Sequence, residues 1–232
     1  MKLKPLSPDF ETKMISKLSK KISRDFAYKI VDTKARGEID SIIVLGDGDV
    51  DDYTIPIVCH HLNSKKIVGI TKPEGKKHRN ATLSEFPTYI SKLKINKLAL
   101  VMDQEDQELE EIFQLIESGL KNQHIMIKKN TSSDQFKHYQ CEFINKRFDF
   151  ILIISGLPDV KTNAHKIEDH LVKAGAKLSK ISNPNRQDSK ETWNSSFEVP
   201  VQNEILKKLV NDKSLSCEIF PQHFDGLRLL ED

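Results

Sequence analysis

The sequence predicts an α/β protein: a mainly parallel open sheet with helices on both faces, preceded by an N-terminal helix. Two observations carry that expectation. From residue 40 onward, short aliphatic runs alternate with amphipathic stretches of helical length, and two of those runs end abruptly in acidic turns. Strands are expected near 41–46, 66–71, 97–102, 123–128 and 149–154, each a short aliphatic run bounded by polar residues or by Gly and Asn. Helices are expected near 52–63, 82–93 and 107–121, the last with Leu109, Ile112, Phe113, Ile116 and Leu120 on one side. Such alternation argues for right-handed βαβ units. Residues 137–146 read as an edge strand or hairpin.

At the N-terminus, Ser7-Pro8 offers an N-cap followed by a proline at the first helical position. Phe10, Met14, Ile15, Leu18, Ile22, Phe26, Ile30 and Val31 then recur at helical spacing. The opposite face carries Lys13, Lys17, Lys20, Lys21, Arg24 and Lys29, which read as a solvated face or a phosphate-contacting ridge. After Ile154 the chain turns through Ser155-Gly156-Leu157-Pro158, and a helix near 165–174 is expected to end at Gly175. Residues 182–198 are polar and read as a long mobile loop, with Trp193 either a core anchor or part of a partner surface. A helix near 200–212 and a short strand near 215–220 close the chain. The expected organisation is a helical extension over 1–38, an α/β domain over 39–180, and a C-terminal loop, helix and strand over 181–232 packed on the same domain.

Composition sets limits. The 232 residues carry 36 Lys and Arg against 34 Asp and Glu, a net charge of +2, so no global electrostatic attraction to nucleic acid is built in. No apolar run approaches the roughly 20 residues needed to span a bilayer, and no secretory signal is evident, so a cytoplasmic protein without a membrane partner is expected. Cys59, Cys141 and Cys217 fit neither a disulfide framework nor a zinc pattern and read as packing residues. No phosphate-binding GxxxxGK[ST] loop, dinucleotide fingerprint, G-x-S-x-G elbow or Cys/His metal module occurs.

The chemistry is concentrated in the acidic turns. Ile42-Ile43-Val44-Leu45 leads into Gly46-Asp47-Gly48-Asp49-Val50-Asp51-Asp52, and Leu98-Ala99-Leu100-Val101-Met102 leads into Asp103-Gln104-Glu105-Asp106. If both runs are neighbouring parallel strands, their carboxylates meet in the crevice where open α/β sheets bind ligands. Carboxylates so crowded need a neutralising cation, and oxygen ligands suit Mg²⁺ or Mn²⁺. An EF-hand does not fit: with Asp47 first in the loop, Asp52 takes the glycine position and Val58 the glutamate position. The competing accounts are capping, with Asp51 or Asp52 capping a helix that begins at Tyr53 and the second cluster opposing a helix dipole, and for Asp47 and Asp49 a solvated loop. A basic stretch that includes Lys72, Lys76, Lys77, His78 and Arg79 lies near the same sheet edge and reads as a phosphate-contacting loop or as solvated surface; Lys161 and Arg186 are further candidates for that surface. His165 and His170, five apart, and the adjacent His60 and His61 lack the spacing of a helical zinc pair.

These pieces in this order resemble the TOPRIM fold of topoisomerases, primases and overcoming-lysogenization-defect nucleases. More narrowly, the chain is similar to small archaeal and bacterial TOPRIM-like proteins, in which the acid pair is followed by a Gly-Leu-Pro-type turn and an Ile-Glu-Asp-bearing helix. Here those pieces are Gly156-Leu157-Pro158 and Ile167-Glu168-Asp169, and the resemblance covers residues 40–175. It implies that Glu168, which from the residues alone also reads as an exposed acid at a helix start, joins Asp47, Asp49, Asp103 and Glu105 in binding Mg²⁺ or Mn²⁺. It also implies a nucleic acid or another phosphate-bearing ligand as partner, with phosphodiester cleavage or transfer if the protein is catalytic. One departure matters: Leu45 stands where the family carries a strand-end glutamate, and leucine can neither ligate a metal nor move a proton. The alternative expectation is therefore a non-catalytic TOPRIM-like interaction module.

Overall fold

The computed structural model describes residues 1–31, 38–46, 48–62, 64–73, 82–181 and 188–231. In chain order the elements are β1 (Lys2–Pro5), α1 (Pro8–Ser19), α2 (Arg24–Ile30), β2 (Ser41–Val44), α3 (Asp51–His61) and β3 (Ile67–Thr71). Next come α4 (Phe86–Lys92), β4 (Lys97–Asp103), α5 (Leu109–Asn122), β5 (Met126–Ser132), β6 (Phe136–Phe143), β7 (Lys146–Ser155) and α6 (Ile167–Lys177). A helical turn (Ser189–Glu191) runs into a π-helical turn (Thr192–Ser196), followed by α7 (Val199–Asn211), α8 (Lys213–Ile219) and α9 (Pro221–Arg228).

Among the described residues the strands form one seven-stranded sheet in the order β1-β3-β2-β4-β7-β6-β5. The first five in that order run parallel, and β6 and β5 continue it antiparallel. Side chains alternate between faces along each strand. Ile43, Leu45, Ala99, Val101, Ile151 and Ile153 enter one core with α1, α2, α3 and the helices after β7. Ile42, Val44, Leu98, Leu100, Phe150 and Leu152 enter the other with α4 and α5. Helices therefore cover both faces, as the alternating pattern predicts. No helix among the described residues is long and apolar enough to cross a membrane.

Several local expectations are corrected. The N-terminal helix is two helices, because the chain breaks after α1 and Ser23 caps a second start, its side chain accepting from Phe26 N–H at 3.3 Å. Before it, Lys2–Pro5 adds a strand alongside β3, too short and too charged to be recognised from its pattern. The strand expected at 123–128 begins only at Met126, since α5 runs to Asn122 and His124 takes a left-handed φ of 58° at its exit. The hairpin expected over 137–146 lies inside the sheet, with β5 at the edge. Its turn is Ile144-Asn145, both at positive φ, the geometry that suits a two-residue hairpin loop. The strand expected at 215–220 is α8: Asp212 caps it by accepting from Leu215 N–H at 3.0 Å, and a short apolar run does not distinguish helix from strand. Of the loop expected over 182–198, residues 182–187 lie outside the described residues, while Trp193 is 1% exposed in the core.

Gly175 does not end a helix but lies inside α6, where a Cβ would stand 2.5 Å from Phe197 Cζ. Cys59 and Cys141 are buried free thiols, as packing residues should be, and Cys217 is partly buried.

Strand order sets the position of the site. The chain leaves β2 through α3 to β3 on one side, whereas β4 pairs with β2 on the other. The direction of winding reverses at β2 and β4, so a crevice opens beyond their C-terminal ends.

Candidate functional site

Three carboxylates converge on this crevice. Asp51 is the first residue of α3, Asp103 the last of β4, and Glu168 lies in the first turn of α6. Gly46 and Gly48 make the approach feasible. A Cβ on Gly48 would lie 3.0 Å from Asp51 Oδ2 and 4.0 Å from Asp103 Oδ2, and one on Gly46 would lie 3.3 Å from Asp51 Oδ2. Asp103 Oδ1 accepts the Ile167 N–H at 2.8 Å, tying the end of β4 to the start of α6. A short bridge reinforces that tie: Glu105 N–H donates to His165 O at 2.7 Å, and His165 N–H donates back to Glu105 O at 2.8 Å. Glu105 adopts a left-handed φ of 61° to make it.

Burial and mutual repulsion shape the charge. Asp51 is 1% exposed, and its Oδ1 has no hydrogen-bond partner among the described residues. Desolvation, then the Asp103 charge, push its carboxyl well above the ordinary range. Desolvation and Glu168 push Asp103 up to about 7. Glu168 is also raised, chiefly by burial. Such groups resist carrying full negative charge together unless a cation is added.

Lysines brace the turn between β2 and α3. Asp52, 2% exposed, receives Lys17 Nζ at 2.7 Å on one oxygen and Lys72 Nζ at 2.8 Å on the other. Lys72 also donates to Gly48 O at 2.8 Å, and Lys17 binds Asp49. Lys17 is thus not part of a merely solvated face. The capping expectation for Asp51 and Asp52 is also corrected: α3 has Val50 at its N-cap and no side-chain capping bond, while Asp52 pairs with lysines and Asp51 enters the crevice.

Below the crevice, a buried polar cluster fixes the exit of β7. His170 Nδ1–H donates to Ile219 O at 2.5 Å, and its Nε2 accepts the Gly156 N–H at 3.3 Å, which defines a neutral tautomer. Burial lowers its pKa to about 4. His223 Nε2 pairs with Ser155 Oγ at 2.9 Å, and burial, then His170, lower its pKa well below the usual imidazole value. Asp169 Oδ2 accepts from His165 Nδ1–H at 3.0 Å and from Leu157 N–H at 3.1 Å.

Of the residues read from sequence as metal ligands, Asp103 and Glu168 lie at the crevice. Asp49 is exposed and held by Lys17, and Glu105 is exposed, its backbone committed to His165. Asp47, Lys76, Lys77, His78, Arg79 and Arg186 lie outside the described residues. Lys72 is described and is committed to Asp52 and Gly48. Leu45 is fully buried in the core. Asp51 is the residue that sequence reading left to capping. Its signal was the Gly-x-Gly spacing just upstream, which leaves space for a carboxylate to fold back.

Among the described residues no group of three or more His, Cys, Asp or Glu side chains is arranged to hold a metal ion. The Asp51–Asp103 pair, an oxygen-only donor set with one unpartnered buried oxygen, nonetheless fits Mg²⁺ or Mn²⁺, since Mg²⁺ often takes one or two carboxylates and completes its shell with water and phosphate. No family model, curated protein or solved structure matches this chain.

Proposed function

We propose that this protein is a TOPRIM-like, divalent-metal-dependent protein that binds nucleic acid and acts on its phosphodiester backbone. The observation that carries the reading is the approach of Asp51 to Asp103 across Gly48 at the sheet's switch point, with both carboxyls raised toward neutrality. In this reading Asp51 and Asp103 hold the cation, and Glu168 adds negative charge behind them. Bound there, Mg²⁺ or Mn²⁺ supplies polarisation of a phosphoryl oxygen. Lys72 orients the turn through Gly48 O, and the Ile167 N–H fixes the rotamer of Asp103. Free thiols and the lack of a membrane-crossing helix among the described residues are compatible with a reducing cytoplasm.

Calorimetric titration of Mn²⁺ into the wild type and into Asp103→Ala tests the metal. A site lost in the variant supports it, and equal, negligible heats in both remove it. Burial of Leu45 favours a second reading, a binding module without chemistry, because β2 then ends without a proton carrier. Incubating DNA and RNA with and without Mn²⁺ separates the two. Metal-dependent cleavage lost in Asp103→Ala supports the enzyme, and binding without cleavage supports the module.

A further inference from the structure

Four lysines influence the acidic crevice, and they divide into two kinds. Lys17 and Lys72 are committed to carboxylates in short ion pairs. Lys166 and Lys190 make no ion pair among the described residues, yet each acts on a carboxylate of the crevice, Glu168. The charge of Lys166 acts on Asp103 and Glu168, and that of Lys190 on Asp49 and Glu168.

Backbone geometry explains their placement. Lys166 is the N-cap residue of α6, directly before the Ile167 N–H that holds Asp103. Lys190 is exposed on the turn Ser189–Glu191, whose cap is Asp188. That turn is anchored to the helix bearing Asp51. Trp193 Nε1–H donates to Tyr53 Oη at 3.0 Å, and Gln202 Nε2–H holds Trp193 O at 2.5 Å. Trp193 lies within the π-helical turn that follows, a distortion that recurs at functional sites. The turn that bears Lys190 also packs against α6, the helix that carries Glu168.

We propose that Lys166 and Lys190 form a phosphate-binding rim on the Asp51–Asp103 crevice and contact backbone phosphates of a nucleic acid strand. This rests on the reading of that crevice as a metal and phosphodiester site. Cations that are near the carboxylates but in no ion pair among the described residues remain available to an incoming phosphate, whereas Lys17 and Lys72 are already occupied. A free nucleotide offers the same phosphate chemistry as a strand.

The test uses the full chain as wild type, as Lys166→Gln/Lys190→Gln and as the corresponding double arginine variant. Binding of a labelled oligothymidylate and of thymidine monophosphate is followed over a range of salt with Mn²⁺ present, and Mn²⁺ binding is measured separately without nucleic acid. The glutamine variant should bind the oligonucleotide about tenfold or more weakly, with a log–log salt slope shallower by about 1.4, two phosphate contacts on a single strand. The arginine variant should keep wild-type affinity, and Mn²⁺ affinity should be unchanged or tighter once two like charges leave. Loss confined to the oligonucleotide supports a strand ligand, and an equal loss with the monophosphate reassigns the rim to free nucleotides. Unchanged oligonucleotide binding in the glutamine variant overturns the rim even if Mn²⁺ binds normally, and so does a wild type that binds neither ligand. Lysine-dependent oligonucleotide binding without any Mn²⁺ site would instead retain the rim and remove the metal reading.

Discussion

Asp51 and Asp103 face one another across Gly48, one from the start of a helix and the other from the end of the neighbouring strand's partner in the sheet. The sheet brings two carboxylates 52 positions apart in the chain (51 to 103) into one desolvated space. Their mutual repulsion is a cost the fold retains, and it has measurable consequences.

The first concerns pH. Asp103 rises from its ordinary 3.8 to about 7, so its contribution to stability is fully present below the unfolded value and is lost as pH rises through about 7. With metal removed by chelation, the melting temperature should rise as pH is lowered from 8 toward 6.5. Asp103→Asn should be more stable than the wild type at pH 8 and show a flatter dependence over that range. For a chain of this size each kcal/mol appears as about 2–4 °C, within reach of scanning calorimetry.

Buried histidines set the opposite limit. His170, lowered to about 4, and His223, lowered well below the usual value, are neutral in the fold and protonate readily once unfolded. Their contribution is present above about 6.5 and is lost as pH falls toward 4. In the background of Asp51→Asn/Asp103→Asn/Glu168→Gln, where none of the raised crevice carboxyls remains, stability should decline monotonically below pH 6.5. Urea denaturation at a series of pH values measures this.

Asp52 tests the bracing of the turn. Its two oxygens are shared between Lys17 and Lys72, so removing Lys72 leaves a buried carboxylate with half its partners. Lys72→Met should cost about 1–3 kcal/mol, and the loss should shrink in an Asp52→Asn background because the two residues act as one unit. Chemical denaturation of the four proteins in the cycle reads the coupling.

The fold was largely legible because its signals are periodic. Aliphatic runs of strand length gave β2, β3, β4 and β7, and the stripe from Leu109 to Leu120 gave α5. What escaped was set by tertiary context. Lys2–Pro5 is a strand only because β3 offers a free edge, and residues 215–219 are helical because Asp212 caps them while Leu215 and Ile219 pack on the core. At the site, Asp103 was evident from its place after an aliphatic run. Asp51 was not, because an acid before a helix ordinarily reads as a cap; its turn inward depends on Gly46 and Gly48 and on lysines taking Asp52.

Trp193 and Tyr53 provide a local test of how the C-terminal segment is fastened. The indole N–H donates to the phenol oxygen at 3.0 Å in the core, so Trp193→Phe leaves the Tyr53 oxygen without that donor and Tyr53→Phe leaves the indole without its acceptor. Each should cost about 1–3 kcal/mol, and the double variant should cost less than their sum, because neither polar group is then left alone. Equal and additive losses would remove the hydrogen bond as the fastening.

Gly175 separates two roles that glycine has in a helix. As a terminus it would tolerate alanine wherever the backbone permits, and inside a helix alanine is ordinarily the better residue by about 1 kcal/mol. Here the helix continues to Lys177, and the added Cβ would meet Phe197 Cζ at 2.5 Å and Ile205 Cδ1 at 3.3 Å. The phenylalanine ring is buried and cannot simply swing away. Gly175→Ala should therefore destabilise the protein by about 1–3 kcal/mol despite its better propensity, the usual cost of overpacking. Pairing it with Phe197→Leu should recover part of the loss, and the recovery, read from denaturation midpoints, measures how much of the effect is steric contact with that ring.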